Sequence, residues 1–204
     1  MAYVHLPRQG DWLKTGTGRL SLVRDAKAHA VVMTADEPSE TARYAVEELV
    51  WHVTESTGVA LKVLPESEAP GQPCTRVYVG ETEAARRLGI VPENLPREAY
   101  TMRCLGKDLF IVGRDGNEDP LRQDNPNAGT LFGVYEFLER FLGVRWLWPG
   151  KLGTYIPKTG SVEFRPVDET HEPALKFRLL HWSRIHAILQ GGKLSEEDAR
   201  LGFS

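Results

Sequence analysis

A chain of 204 residues is long enough for one well-buried domain and a fragment, but too short for two full-sized domains. Its composition, 41% hydrophobic and 26% charged with five Trp, excludes a disordered or fibrous protein. With 25 Lys+Arg against 28 Asp+Glu, a net charge of -3 and no basic run, neither nucleic acid nor an anionic membrane is indicated as a partner.

The opening residues lack the apolar core of a signal peptide, and no apolar run approaches the ~20 residues of a membrane span, so a soluble protein is expected, of undefined compartment. "RLSLVRD" and "AHAVVMTA" are β-branched runs separated by Ala26 and Lys27, which predicts a hairpin or two successive strands. Ser39 is a candidate N-cap for a helix whose apolar positions, Ala42, Ala45, Val46, Leu49, Val50 and Val53, recur at helical spacing until Gly58. "ALKVLP" and "TRVYVG" read as strands and "ETEAARRLG" as a short helix stopped by Gly89. Cys74 and Cys104 are too few for a disulfide framework and lack metal-ligand spacing; two thiols are expected.

"AYTMRCLGKDLFIVG" predicts a hairpin turning at Gly106 and Lys107, with a central second strand because Leu109 to Val112 are all apolar. The following "RDGNEDPLRQDNPNAG" is a surface loop. Its glycines lack phosphate-cradle spacing, whereas Asp115, Asn117 and Asp119 could meet a sugar or calcium. Leu131, Val134, Tyr135, Leu138, Phe141 and Leu142 fall on one helical face, with Glu136 and Arg140 spaced as an i,i+4 pair and Gly143 as the stop. In "VRWLWPG", Val144, Trp146 and Trp148 alternate to one side, and the expectation is that both Trp seal the helix end against the sheet. "KTGSVEFRPV" would add an edge strand and "DETHEP" a polar linker before the apolar "ALKFRLLHWSRIHAILQGG". Long crossovers mixed with a hairpin imply α/β architecture, a mixed β-sheet with helices packed on it as an α/β sandwich.

Four segments, "AVVMTADEPSETARYAVEELVWHVTESTGVAL", "VYVGETEAARRLG", "EAYTMRCLGKDLFIVGRDG" and "AGTLFGVYEFLERFLGVRWLWPGKLGTYIPK", carry a further likeness. In this order they resemble the non-catalytic N-terminal domain that precedes the barrel of family 67 α-glucuronidases and related bacterial glycoside hydrolases. The N-terminal domain of family 20 β-hexosaminidases is similar. The resemblance implies an accessory α/β domain over residues 1–168, followed at 169–204 by a linker and the start of a catalytic (β/α)8 barrel. "FRLLHWSR" is similar to the family's first barrel strand, which would make Arg178, His181 and Trp182 substrate-binding remnants. Ser183 and Arg184 stand where that family has Asp and Asn, so glucuronic-acid specificity does not follow.

No catalytic, cofactor or metal residue is assigned. Glu196, Glu197 and Asp198 are consecutive in a charged segment, unlike a glycosidase pair held ~5 to 9.5 Å apart across a scissile bond. His181 and His186 lack a third ligand of clear spacing. The implied partner is the barrel of a parent chain, with carbohydrate as a ligand and a homodimer through an exposed C-terminal strand as further expectations. A free-standing carbohydrate-binding module is the alternative, favoured by an exposed aromatic row.

Overall fold

The structure, a computed structural model, describes residues 18–71, 74–121, 127–148, 150 and 152–174. Its centre is a six-stranded mixed sheet. The strands are β3 (Ala30–Thr34), β4 (Lys62–Pro65), β5 (Thr75–Val79), β6 (Tyr100–Leu105), β7 (Asp108–Gly113) and β11 (Asp168–His171), in the order β11-β6-β7-β5-β3-β4. β4, β3, β5 and β7 run parallel, while β6 pairs antiparallel with both β7 and β11.

Helix α1 (Glu40–Thr57) begins as the sequence predicts. The Ser39 hydroxyl accepts from the Ala42 N–H at 3.0 Å, and the chain leaves at Gly58, whose N–H donates to the Thr54 carbonyl. Its apolar positions face the sheet together with α3 (Gly129–Phe137), forming one core with Val32, Val77, Val79, Leu109 and Ile111. The alternate residues of the same strands, Met33, Tyr78, Phe110 and Val112, enter a second core under the short helix α2 (Glu83–Arg87). β7 is therefore apolar at consecutive positions because it is buried on both faces.

Of the two expectations for the N-terminal runs, a hairpin or two successive strands, the second holds: they lie in two different sheets. β1 (Leu20–Arg24) and β2 (Lys27–Ala28) turn tightly at Asp25 and Ala26, both at positive φ, while β3 continues into the large sheet. β10 (Val162–Phe164) pairs with β1 as the predicted edge strand, and their inward side chains join the larger core.

Three expectations are corrected. "DETHEP" is not a linker: Asp168–His171 is β11, held to β6 by Arg103 with Asp168 at 2.7 Å and by the Thr101 and Thr170 hydroxyls at 2.8 Å. Arg140 pairs with Glu169 of β11 rather than with Glu136, because from Leu138 to Leu142 the helix widens into a π turn that breaks the i,i+4 spacing. Trp148 seals nothing. β8 (Arg145–Trp146) ends after two residues, so the alternation stops, and Trp148 is 61% exposed on the hairpin that β8 makes with β9 (Thr154–Tyr155). Trp146 does pack on the core, edge-on to His52 at 5.5 Å and to Tyr135 at 5.2 Å. Both cysteines are free thiols; burial pushes Cys104 up to about 11.

Candidate functional site

The loops that leave β3, β5 and β7 gather at the carboxyl end of the parallel strands and enclose a cavity of about 920 Å³. β3 and β5 are neighbours in the sheet, yet the connection from β3 sends α1 to one face and that from β5 sends α2 to the other. A crevice opens between such diverging connections, the place where open α/β sheets hold ligands. Seven carboxylates line it, Asp36, Glu37, Glu66, Glu81, Glu83, Glu93 and Asp115, against two guanidinium groups, Arg86 and Arg114. That balance repels phosphate and carboxylate ligands.

Several of these groups are fixed by the fold. Glu66 caps α2, accepting from the Glu83 and Ala84 N–H groups at 2.8 and 3.2 Å. Arg86 is held by Glu81 and, at 2.6 Å, by Glu93. Asp36 accepts from the Ser67 N–H at 3.2 Å. The Asp-rich loop is closed at its neck by a bridge between Asp115 and Ala128, and the Thr41 hydroxyl of α1 ties it down at the Gly116 and Asn127 carbonyls.

Asp115 is pulled two ways. One carboxylate oxygen, Oδ1, accepts from the Thr130 N–H at 2.9 Å and so caps α3, whose own N-cap position, Ala128, offers no side-chain acceptor. The other, Oδ2, is sealed from solvent without a hydrogen-bond partner. Burial pushes the carboxyl up to about 7, opposed by its hydrogen bonds from Thr130 and the Ser39 side chain and reinforced by the negative charge of Glu81. Backbone contact makes this corner unyielding: a Cβ on Gly129 would stand 2.3 Å from the Ala99 carbonyl, and one on Gly113 2.1 Å from the Gly129 carbonyl carbon.

A second, smaller groove of about 480 Å³ lies near β11 and combines Tyr100, Phe132, Tyr135 and Trp146 with Glu98, Glu136, Glu139, Glu172 and His171. Tyr100 stacks on His171 at 5.4 Å, and burial, with Glu136 and Glu169 nearby, pushes its hydroxyl up to about 12. The third candidate is the β8–β9 hairpin, where Leu147, Trp148, Leu152 and Tyr155 are all exposed.

Asp115 and Asn117 of the sequence-predicted trio line the large cleft, whereas Asp119 turns back to accept from the Leu121 N–H at 2.9 Å. Arg178, His181, Trp182 and His186 lie outside the described residues, as do Glu196, Glu197 and Asp198. Among the described residues no three His, Cys, Asp or Glu side chains converge as a metal site, and no helix is long and apolar enough to cross a membrane. Sequence reasoning missed the pair Glu48 and His52, fully buried on α1 with a 3.7 Å contact. The signal was present, since positions 45, 48, 49, 52 and 53 share the inward face of a 3.6-residue helix.

No family model matches the chain, and no curated protein does. Among solved structures, it is similar to a family GH115 4-O-methyl-α-glucuronidase with specificity for decorated arabinogalactans. That match has 17% identity and a TM-score of 0.46, over 78% of this chain and 19% of the enzyme. It is also similar to a GH138 enzyme targeting pectin rhamnogalacturonan II, at 16% identity and a TM-score of 0.37, over 69% of this chain and 11% of that one. The chain spans about a fifth or less of either neighbour.

Proposed function

We propose that this chain is the non-catalytic accessory domain of a carbohydrate-active glycoside hydrolase, α-glucuronidase-like in lineage, which supports a catalytic (β/α)8 barrel in a parent chain. One observation carries the reading. The four segments that resemble the N-terminal domain of such enzymes, scattered between residues 30 and 158, form one packed unit: β3 with α1, β5 with α2, the β6–β7 hairpin, and α3 with the β8–β9 hairpin. On this reading Arg178, His181 and Trp182 belong to a sugar-facing barrel strand, and the acid and base that glycosidic cleavage needs are supplied by the parent's barrel.

The test is an assay of the 204-residue chain and of a version extended through a barrel, on aryl glucuronides, aryl hexosaminides and xylo-oligosaccharides. Activity confined to the extended protein is expected. Turnover by the short chain that disappears on Asp115→Asn or another substitution of a cleft carboxylate would overturn the reading.

A free-standing carbohydrate-binding module is the second reading, favoured by the exposed rings of Trp148 and Tyr155 on one short hairpin. Binding of xylo-oligosaccharides by the short chain, lost in Trp148→Ala without a change in denaturant midpoint, would promote this reading over the first.

A further inference from the structure

The smaller groove, of about 480 Å³, lies where the chain leaves β11. Tyr100, Phe132, Tyr135 and Trp146 pack on the larger core by one side and stay half-buried on the other, so their outer faces make an apolar floor. Carboxylates rim that floor. Arg140 pairs with Glu169 of β11, and Arg145 stands 3.7 Å from Glu139, which leaves Glu136 and Glu172 with no ion pair among the described residues. Apolar side chains with a cation close beside them would complement such a groove on both counts. The chain supplies them at the shortest reach. Pro173 itself lines the groove, and the sequence continues after Ala174 with Leu175, Lys176 and Phe177. At no more than ~3.6 Å per residue, these three stay within about 15 Å of Pro173. A tether that short sets an effective concentration on the order of millimolar, so contacts too weak to hold a separate peptide suffice. Alternation puts Leu175 and Phe177 on one side of an extended segment, and the long stem of Lys176 lets its ammonium bend to the rim from the other.

We propose that this groove is the docking site for residues 175–177 of the same chain, with Leu175 and Phe177 set on the rings of Phe132, Tyr135 and Trp146 and the Lys176 ammonium neutralised by Glu136 and Glu172. The docked segment acts as a latch: it fixes the direction in which the chain from Arg178 onward leaves the domain. The latch uses only residues of this chain and holds whether or not a barrel follows, so it stands apart from the accessory-domain reading. Arg178, His181 and Trp182 take no part in it.

The experiment is timed trypsin digestion of the intact 204-residue chain, following cleavage after Lys176 and after Arg178 by mass spectrometry. Each rate is divided by that of the free peptide of matching sequence over residues 170–182, and the thermal midpoint checks that every variant keeps its fold. Cleavage requires the segment to lift off, so the ratio reads the docked population. Cleavage at least about tenfold slower than in the peptide is expected, at a ratio independent of protein concentration. Phe177→Ala should raise the ratio about tenfold, the worth of one ring returned to water. Glu136→Lys and Lys176→Glu, the latter read at Arg178, should each raise it about fivefold, as for a well-placed ion pair. The two reversals together should raise it by less than the product of their single effects, because the exchanged charges attract again. Trp182→Ala should leave it unchanged. Digestion as fast as the peptide's would overturn the proposal, and so would slowing that appears only as the chain dimerises, which would seat a second copy's segment in the groove. Indifference to Phe177→Ala, a Trp182→Ala effect as large as that of Phe177→Ala, or charge reversals that simply multiply would each do the same.

Discussion

At Asp115 the local structure works against itself. The residue is needed as the acceptor that caps α3, yet the position that lets Oδ1 do so withdraws Oδ2 from water. Its carboxyl titrates at about 7 when folded, against about 3.9 for an exposed aspartate, so the folded state binds more protons between those values. Stability must then fall as pH rises from about 4 to about 7 and level off above, by a loss on the order of 4 kcal/mol if this group acts alone. Urea midpoints at about pH 4.5 and about pH 8 would measure it. Asp115→Asn should flatten the difference, and an equal slope in the variant would locate the titrating group elsewhere. Nothing in "RDGNEDPLRQDNPNAG" distinguishes Asp115 from Asp119, because the difference lies in what folds over them: α1 and α3 close on the first, while the second caps its own turn.

Elements whose stability comes from apolar periodicity were legible, and those held by polar contacts were not. α1, the two core strands β5 and β7, and the β6–β7 hairpin all announce themselves through spacing and turn residues. β11 does not, since "DETH" carries no alternating apolar face and pairs through Arg103, Asp168 and two threonines. Arg103 and Asp168 are nearly buried, their side chains 11% and 19% exposed, so the pair is screened little by solvent. Arg103→Ala leaves Asp168 without its cation and should cost about 3 kcal/mol. The loss should be local: amides of Asp168–His171 exchange faster while those of β7 keep their relative order. Unchanged protection of β11 in that variant would mean that backbone pairing alone holds the strand. The same logic explains Trp148, where alternation was extended past a strand that stops at Trp146.

Across the whole molecule the two faces of the sheet are unequal. One carries α1, α3 and the β1–β10 layer over a continuous core; among the described residues the other is covered by α2 and its flanking turns, which bring Ala85 and Ile90 as buried members of the apolar cluster there. Little apolar area holds that second layer, so it should open separately from the rest, at a free energy below that of global unfolding. Such a difference has a consequence for the cleft, because Glu81, Glu83, Arg86 and Glu93 all stand on the weaker layer while Asp115 is anchored to the stronger one. One wall can move while Asp115 stays in place. Native-state hydrogen exchange would show it: the amides of Leu88, Gly89 and Ile90, bonded within the α2 turn, should exchange well before those of β5 and β7. Ile90→Ala should widen the gap by about 2 kcal/mol or more through the lost packing, without lowering protection in β7 to the same degree. If instead the α2 amides exchange at the same free energy as β7 in both proteins, the two layers unfold as one and the cleft has no wall that opens on its own.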